Sequence, residues 1–182
     1  MSPAFAPRSF DAFCAGLASD RLRAVAQHWA AVRADRRMPA WRDIDPIAIA
    51  PHLPIVWSWK YDADDDRFVG RLAGEEIIEL AGRRLRGVPM EVFFAGRQFD
   101  TVVDRYMRVV SGPCLMHQRG VVFADVGRHG LGERIVLPVS DDGVRVNGVL
   151  GAAVYRPWST AGAERALYLE GLSEELAFVS LD

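Results

Sequence analysis

Three groups of residues have types and spacings that chemistry could use, and each lacks a specific requirement. Asp62, Asp64 and Asp66 alternate like the first oxygen ligands of a calcium loop. Arg67 stands where that loop needs glycine and Ala73 where it needs a bidentate glutamate, so the run reads as a polar turn. Gly127, Gly130 and Gly132 form a glycine-rich stretch, but it joins two strands and leads into no helix whose N-terminus would hold a phosphate. Asp125 and His129 in that stretch do not by themselves make a dyad. There is no Gly-x-Ser-x-Gly, His-x-x-x-His or Cys-x-x-Cys, so nucleophilic and zinc chemistries lack a starting set. For proton transfer Asp104, Tyr106 and His117 remain, and they would serve a small isomerase- or cyclase-like enzyme with a cone-shaped α+β fold. A haem would need His117 or His52 as its axial ligand, whereas a strand histidine is more often hydrogen-bonded. A binding module is the expectation, with no enzyme activity and no cofactor specified.

Composition narrows the class. The chain has 182 residues, 50% of them hydrophobic, enough for one buried core and short for two. A formal charge of -2 and a pI near 6.1 are not those of a protein built around polyanion contacts, so nucleic acid is not an expected partner. Only Lys60 among the basic residues is a lysine, and no site follows from that bias. Cys14 and Cys114 have neither metal spacing nor a disulfide framework and read as partly buried thiols in a reducing compartment. Asp11 interrupts the region where a signal peptide would be hydrophobic, and no apolar run approaches the roughly 20 residues of a membrane helix. The expectation is a cytoplasmic protein that does not enter a membrane.

The apolar period then locates the elements. Ser9 or Asp11 caps a short helix, and Ser19 or Asp20 caps a second in which Leu22, Val25, Ala26, Trp29 and Val32 form one stripe. That stripe must pack on something, and a homodimer partner is the expected surface. Pro39, Pro46, Pro51 and Pro54 make the next segment a winding connection with one helical turn near Ile47. Residues 55–61 and 67–73 predict a hairpin across the aspartate turn. Residues 74–81 predict a helix ended by Gly82, with a brief turn at 89–94, and Phe99, Val102, Val103, Tyr106 and Val110 predict a longer helix over 97–110. Three strands follow at 114–123, 133–140 and 146–155, the last two joined through Asp141, Asp142 and Gly143. A final helix is predicted from Ser159 or Thr160 to about Val179.

Strands run together in this way favour an α+β domain with helices on one face of an antiparallel sheet. The chain also resembles a known family on ordered motifs: Met38, Pro39 and Ala40, then 43–46, Leu53 and Pro54; 67–74; Gly82 and Arg83 with Gly87; and 134–140, Asp142, Gly143 and 150–152. These pieces are similar to the bacterial PAS_5 (DUF1457) family of PAS-like sensory domains, over residues 29–155. The resemblance implies a five-stranded PAS-like sheet over residues 37–157, with a helical N-terminal extension over 1–36 and a C-terminal helix over 158–182.

It also implies a sensory module that binds a small molecule or a signalling partner, with no output domain of its own, acting by contact with another protein. The competing classes are the cone-fold enzyme and a dimerising adaptor with a filled core. In a PAS-like sheet the strands and the helix carrying Tyr106 look into one cavity, mostly apolar with a few orienting polar groups. Alternation puts Leu115, His117 and Arg119 on one face of their strand and Cys114, Met116 and Gln118 on the other, leaving open which set faces inward. Tyr106, Met116, His117 and Arg119 are therefore candidate ligand-binding residues. Arg71 and Arg134 match basic positions of the family pattern and would clamp a carboxylate or phosphate through paired donors, unless each is a salt-bridged strand end.

Overall fold

Ser9 and Ser19 start the first two helices, as hydroxyls just ahead of an apolar stripe should. Ser9 accepts the Ala12 amide at 3.2 Å and begins α1 (Phe10–Gly16); Ser19 accepts the Leu22 amide at 3.4 Å and begins α2 (Asp20–Arg33). A computed structural model describes residues 9–94, 96–121, 130–157 and 175–181 of the chain. Within α2 the side chains of Leu22, Val25, Ala26 and Trp29 are completely buried, and the Trp29 indole donates to the Pro138 carbonyl at 2.8 Å. The stripe is thus consumed inside the subunit, which corrects its assignment as a dimer surface. A sheet with apolar residues facing α2 offered it an intramolecular partner.

Two 3-10 turns, Trp41–Asp43 and Ala50–Ile55, replace the single turn expected near Ile47. The chain then enters β1 (Val56–Asp62) and returns as β2 (Arg67–Ala73), the expected hairpin. Its turn is closed by Tyr61 donating to Asp66 at 2.7 Å. Helix α3 (Glu75–Ala81) ends on Gly82 at φ 70°, whose amide bonds back to Ile78. A 3-10 turn at Met90–Val92 precedes α4 (Arg97–Ser111). Four more strands complete the sheet: β3 (Cys114–Val121), β4 (Gly130–Ser140), β5 (Val146–Pro157) and β6 (Glu175–Ser180).

All pairings are antiparallel, in the order β2-β1-β5-β4-β3-β6. Six strands stand where five were expected, because residues 175–180 are a strand and not the end of a helix. Apolar residues at 172, 176 and 179 suit a helix face, yet the β3 edge decides the outcome. Pairing there puts Phe178 beside Met116 and Val179 beside Leu115, covering both sides of β3 at once. The rest of the expected C-terminal helix, and the Asp125 to His129 stretch, lie outside the described residues.

The second correction concerns layering: helices cover both faces of the sheet. Helices α1 and α2 pack with Val56, Leu115, Ile135, Leu137, Leu150 and Val179. On the opposite face, α3 and α4 pack with Trp57, Trp59, Met116, Val136, Val149 and Ala153. The cause is legible in the strands, since Ile135, Val136 and Leu137 are all fully buried and leave no polar phase to face water.

Candidate functional site

On the α4 side, aromatic rings form most of the layer. Trp57 stacks on Tyr106 with centroids 5.5 Å apart, Phe68 meets Tyr106 edge-on at 5.9 Å, and Phe93 meets Trp59 edge-on at 5.5 Å. Trp57 reaches this position because it lies over Gly151, its partner across β1 and β5. A Cβ at residue 151 would stand 2.1 Å from the indole. Gly70 serves the same layer from β2: its amide bonds to Val88, and a Cβ there would strike the Leu85 carbonyl at 2.1 Å. Burial pushes the Cys114 thiol in this layer up to about 11, with the Arg108 charge acting weakly the other way.

Set into this apolar surface are two polar side chains. Arg134 on β4 and Gln118 on β3 stand directly opposite each other, only 4% and 3% exposed. Strand alternation places both on the α4 side, in phase with Val136 and Met116. One step along the same face, Gly132 pairs with Gly120. Neither carries a side chain, and Tyr155 stands beside Gly132 on β5 in the same packed layer. An arginine keeps its charge at any accessible pH, so its burial demands an anionic or strongly polar neighbour. Arg134 is engaged within the chain.

The opposite face carries a different arrangement. Glu133, next to Arg134 and pointing the other way, is 4% exposed. Its carboxylate accepts the amides of Ala18 and Ser19, each at 2.9 Å, and contacts His117 Nε2 at 2.8 Å. Burial alone would raise its pKa; the hydrogen bonds from His117, Ala18 and Ser19 more than offset this and hold it below its ordinary value. The His117 ring meets Phe13 of α1 edge-on at 6.1 Å.

The sheet therefore divides the expected site residues. Tyr106, Met116 and Arg134 share the α4 side. His117 faces α1, and Arg119, in the same phase, is exposed. Arg71 sits apart, with its guanidinium 4.2 Å above the Trp41 ring and 3.3 Å from Asp141. Nor does the acid-base set of Asp104, Tyr106 and His117 converge: Asp104 is exposed, and the other two lie on opposite faces of the sheet.

Glu133 and Gln118 lie outside the site expected from sequence, although their strand phase carries a signal. Glu133 falls in the same strand phase as Ile135, Leu137 and Val139, and Gln118 in that of Cys114 and Met116. A polar residue in the apolar phase of a strand marks a buried polar contact.

Residues 17–153 match the model of PAS_5, described as a PAS domain. No curated protein matches the chain. Among the described residues, no helix is long and apolar enough to cross a membrane.

Proposed function

Because the chain belongs to the PAS_5 family of PAS domains, we propose that it is a sensory or regulatory module that takes a small anionic molecule on the α4 side of its sheet. The observation that carries this reading is the buried Arg134 and Gln118 pair, set beside the Gly120 and Gly132 pair in an otherwise apolar layer. A guanidinium offers parallel N–H donors to a carboxylate or phosphate, and a Gln side chain adds two N–H donors and a carbonyl acceptor. Tyr106, Met116 and Trp57 supply an apolar, stackable surround for the body of such a molecule. An incoming anion would join or replace the contact that Arg134 already makes. The module then passes its state to a protein partner. Cytoplasmic action fits two thiols, Cys14 and Cys114, buried in separate layers where they cannot pair with each other.

A thermal-shift screen of metabolite carboxylates, phosphates and nucleotides tests the reading. Binding to the native state raises the melting temperature by mass action. A compound that does so for the wild type and for Arg71→Ala, but not for Arg134→Ala, supports it. If no compound in the panel raises it, the reading fails and a ligand-free adaptor takes its place. The ring-on-ring packing of Trp57, Tyr106 and Phe68 is what favours that second reading.

A further inference from the structure

Between α3 and the 3-10 turn at Met90–Val92 the chain reads Gly82-Arg83-Arg84-Leu85-Arg86-Gly87. Leu85 is buried and anchors this loop in the aromatic layer, while Arg83, Arg84 and Arg86 are all exposed. The loop is bonded to the β2 edge on both sides of one residue. The Gly87 amide donates to the Gly70 carbonyl at 2.8 Å, and the Gly70 amide donates to the Val88 carbonyl at 2.9 Å. Gly82 and Gly87 turn the chain at φ 70° and 76°, where a side chain would be strained. The backbone that carries the arginines is therefore fixed at both ends and in the middle.

The three guanidiniums are not equally engaged. Arg83 donates through Nη1 to the Val92 carbonyl at 3.2 Å and lies 5.3 Å from the Phe93 ring. Arg84 and Arg86 form no ion pair among the described residues, whereas Arg21, Arg23, Arg36, Arg67 and Arg71 each contact a carboxylate. Counter-charge for Arg84 and Arg86 must come from outside this part of the chain. Next to them Val92 is 53% exposed, a large apolar side chain left in water beside the Arg83 contact.

We propose that this loop docks an acidic segment of a partner protein, with Arg84 and Arg86 taking its carboxylates and Val92 seating one of its apolar side chains. The partner's role in signalling rests on the proposed sensory function; the docking surface itself does not. A guanidinium takes a carboxylate through two parallel donors and is weakly hydrated, so it loses little on contact. Arginine is accordingly enriched at protein interfaces. A lipid surface fits less well, because exposed Glu75, Glu79 and Glu91 flank the loop and would be pressed against phosphates. Lipid-binding clusters also draw on about 4–8 cations.

Fluorescence anisotropy of a labelled peptide of repeating Asp-Glu-Leu, titrated with the full chain, tests the docking. The wild type is expected to bind, more weakly as salt is raised. Arg84→Glu combined with Arg86→Glu should weaken binding about tenfold or more. Arg84→Lys combined with Arg86→Lys should fall between, since the charge remains and the fork is lost. Arg42→Glu combined with Arg145→Glu changes the net charge equally at two exposed arginines elsewhere and should leave binding unaltered. All these positions are exposed, so circular dichroism should show each variant folded as the wild type. No binding by the wild type, undiminished binding by the Arg84 and Arg86 charge reversal, or an equal loss in the Arg42 and Arg145 variant overturns the proposal. So does wild type that ignores the peptide but is retained on phosphatidylcholine vesicles containing phosphatidylserine. Metabolite-induced thermal shifts should survive the Arg84 and Arg86 reversal, so failure of the docking surface and failure of the Arg134 site are read separately.

Discussion

Arg134 and Gln118 face each other across β4 and β3, buried in a layer whose other members are aromatic and aliphatic. Their position assigns the α4 side of the sheet as the place where polar recognition and apolar packing meet. It also separates that place from Arg71, whose guanidinium lies against Trp41 and Asp141.

Arg71 is expected to matter little. Its contacts with Asp141 and the Trp41 ring are partly exposed, and pairs of that kind are worth about 0.2–1 kcal/mol each. Urea denaturation of Arg71→Ala should show a loss of about 1 kcal/mol or less. A loss several times larger would mean that the Asp141 turn is a structural centre.

Gly151 is expected to tolerate no side chain. A methyl group there meets the Trp57 indole at 2.1 Å, so the ring that stacks on Tyr106 must move. Gly151→Ala should cost about 1–3 kcal/mol in urea denaturation, the usual penalty for overpacking. An unperturbed unfolding midpoint would show that the ring is not held over residue 151.

Trp29 belongs to the core and not to an interface between subunits. Trp29→Ala should lose about 3–5 kcal/mol of stability, and Trp29→Glu should unfold the chain without yielding a folded monomer. Circular dichroism with light scattering checks this. A well-folded Trp29→Glu variant of reduced mass would restore the dimer surface.

Glu133 gives stability a specific pH dependence. A carboxylate whose pKa is depressed on folding leaves the unfolded chain to bind the proton first as pH falls. Its contribution is therefore full above the ordinary carboxylate value of about 4.3 and drains away as pH drops through the lower folded value. Comparing wild type with Glu133→Gln by urea denaturation, the difference should be about 1.5–3 kcal/mol at pH 7, as for hydrogen bonds to a charged group, and shrink towards pH 3. A difference that is constant across this range would contradict the account.

Local signals in the sequence led to most of the elements. The Ser9 and Ser19 caps, the aspartate hairpin, Gly82 at a left-handed position and the stripe of α4 each depend on a few neighbouring residues, and all are present. What the sequence hid was decided by partners distant along the chain. Residues 175–180 become a strand because β3 offers an edge, and the α2 stripe is buried because the sheet is apolar on both faces. The same limit applied to the site. Alternation separated His117 from Met116, but only the packed helices show that Met116 faces α4 and His117 faces α1. Glu133 stayed unread because its partners, the amides of Ala18 and Ser19, lie more than a hundred residues away.

The most direct test of the central claim follows the methionine methyl signals by NMR while a compound selected by thermal shift is added. Met90 and Met116 are completely buried on the α4 side, and Met38 is buried on the other. The account predicts shifts at Met116 and Met90 with Met38 unmoved, and loss of the response in Arg134→Ala. Shifts confined to Met38, or none with any compound of the panel, would contradict it.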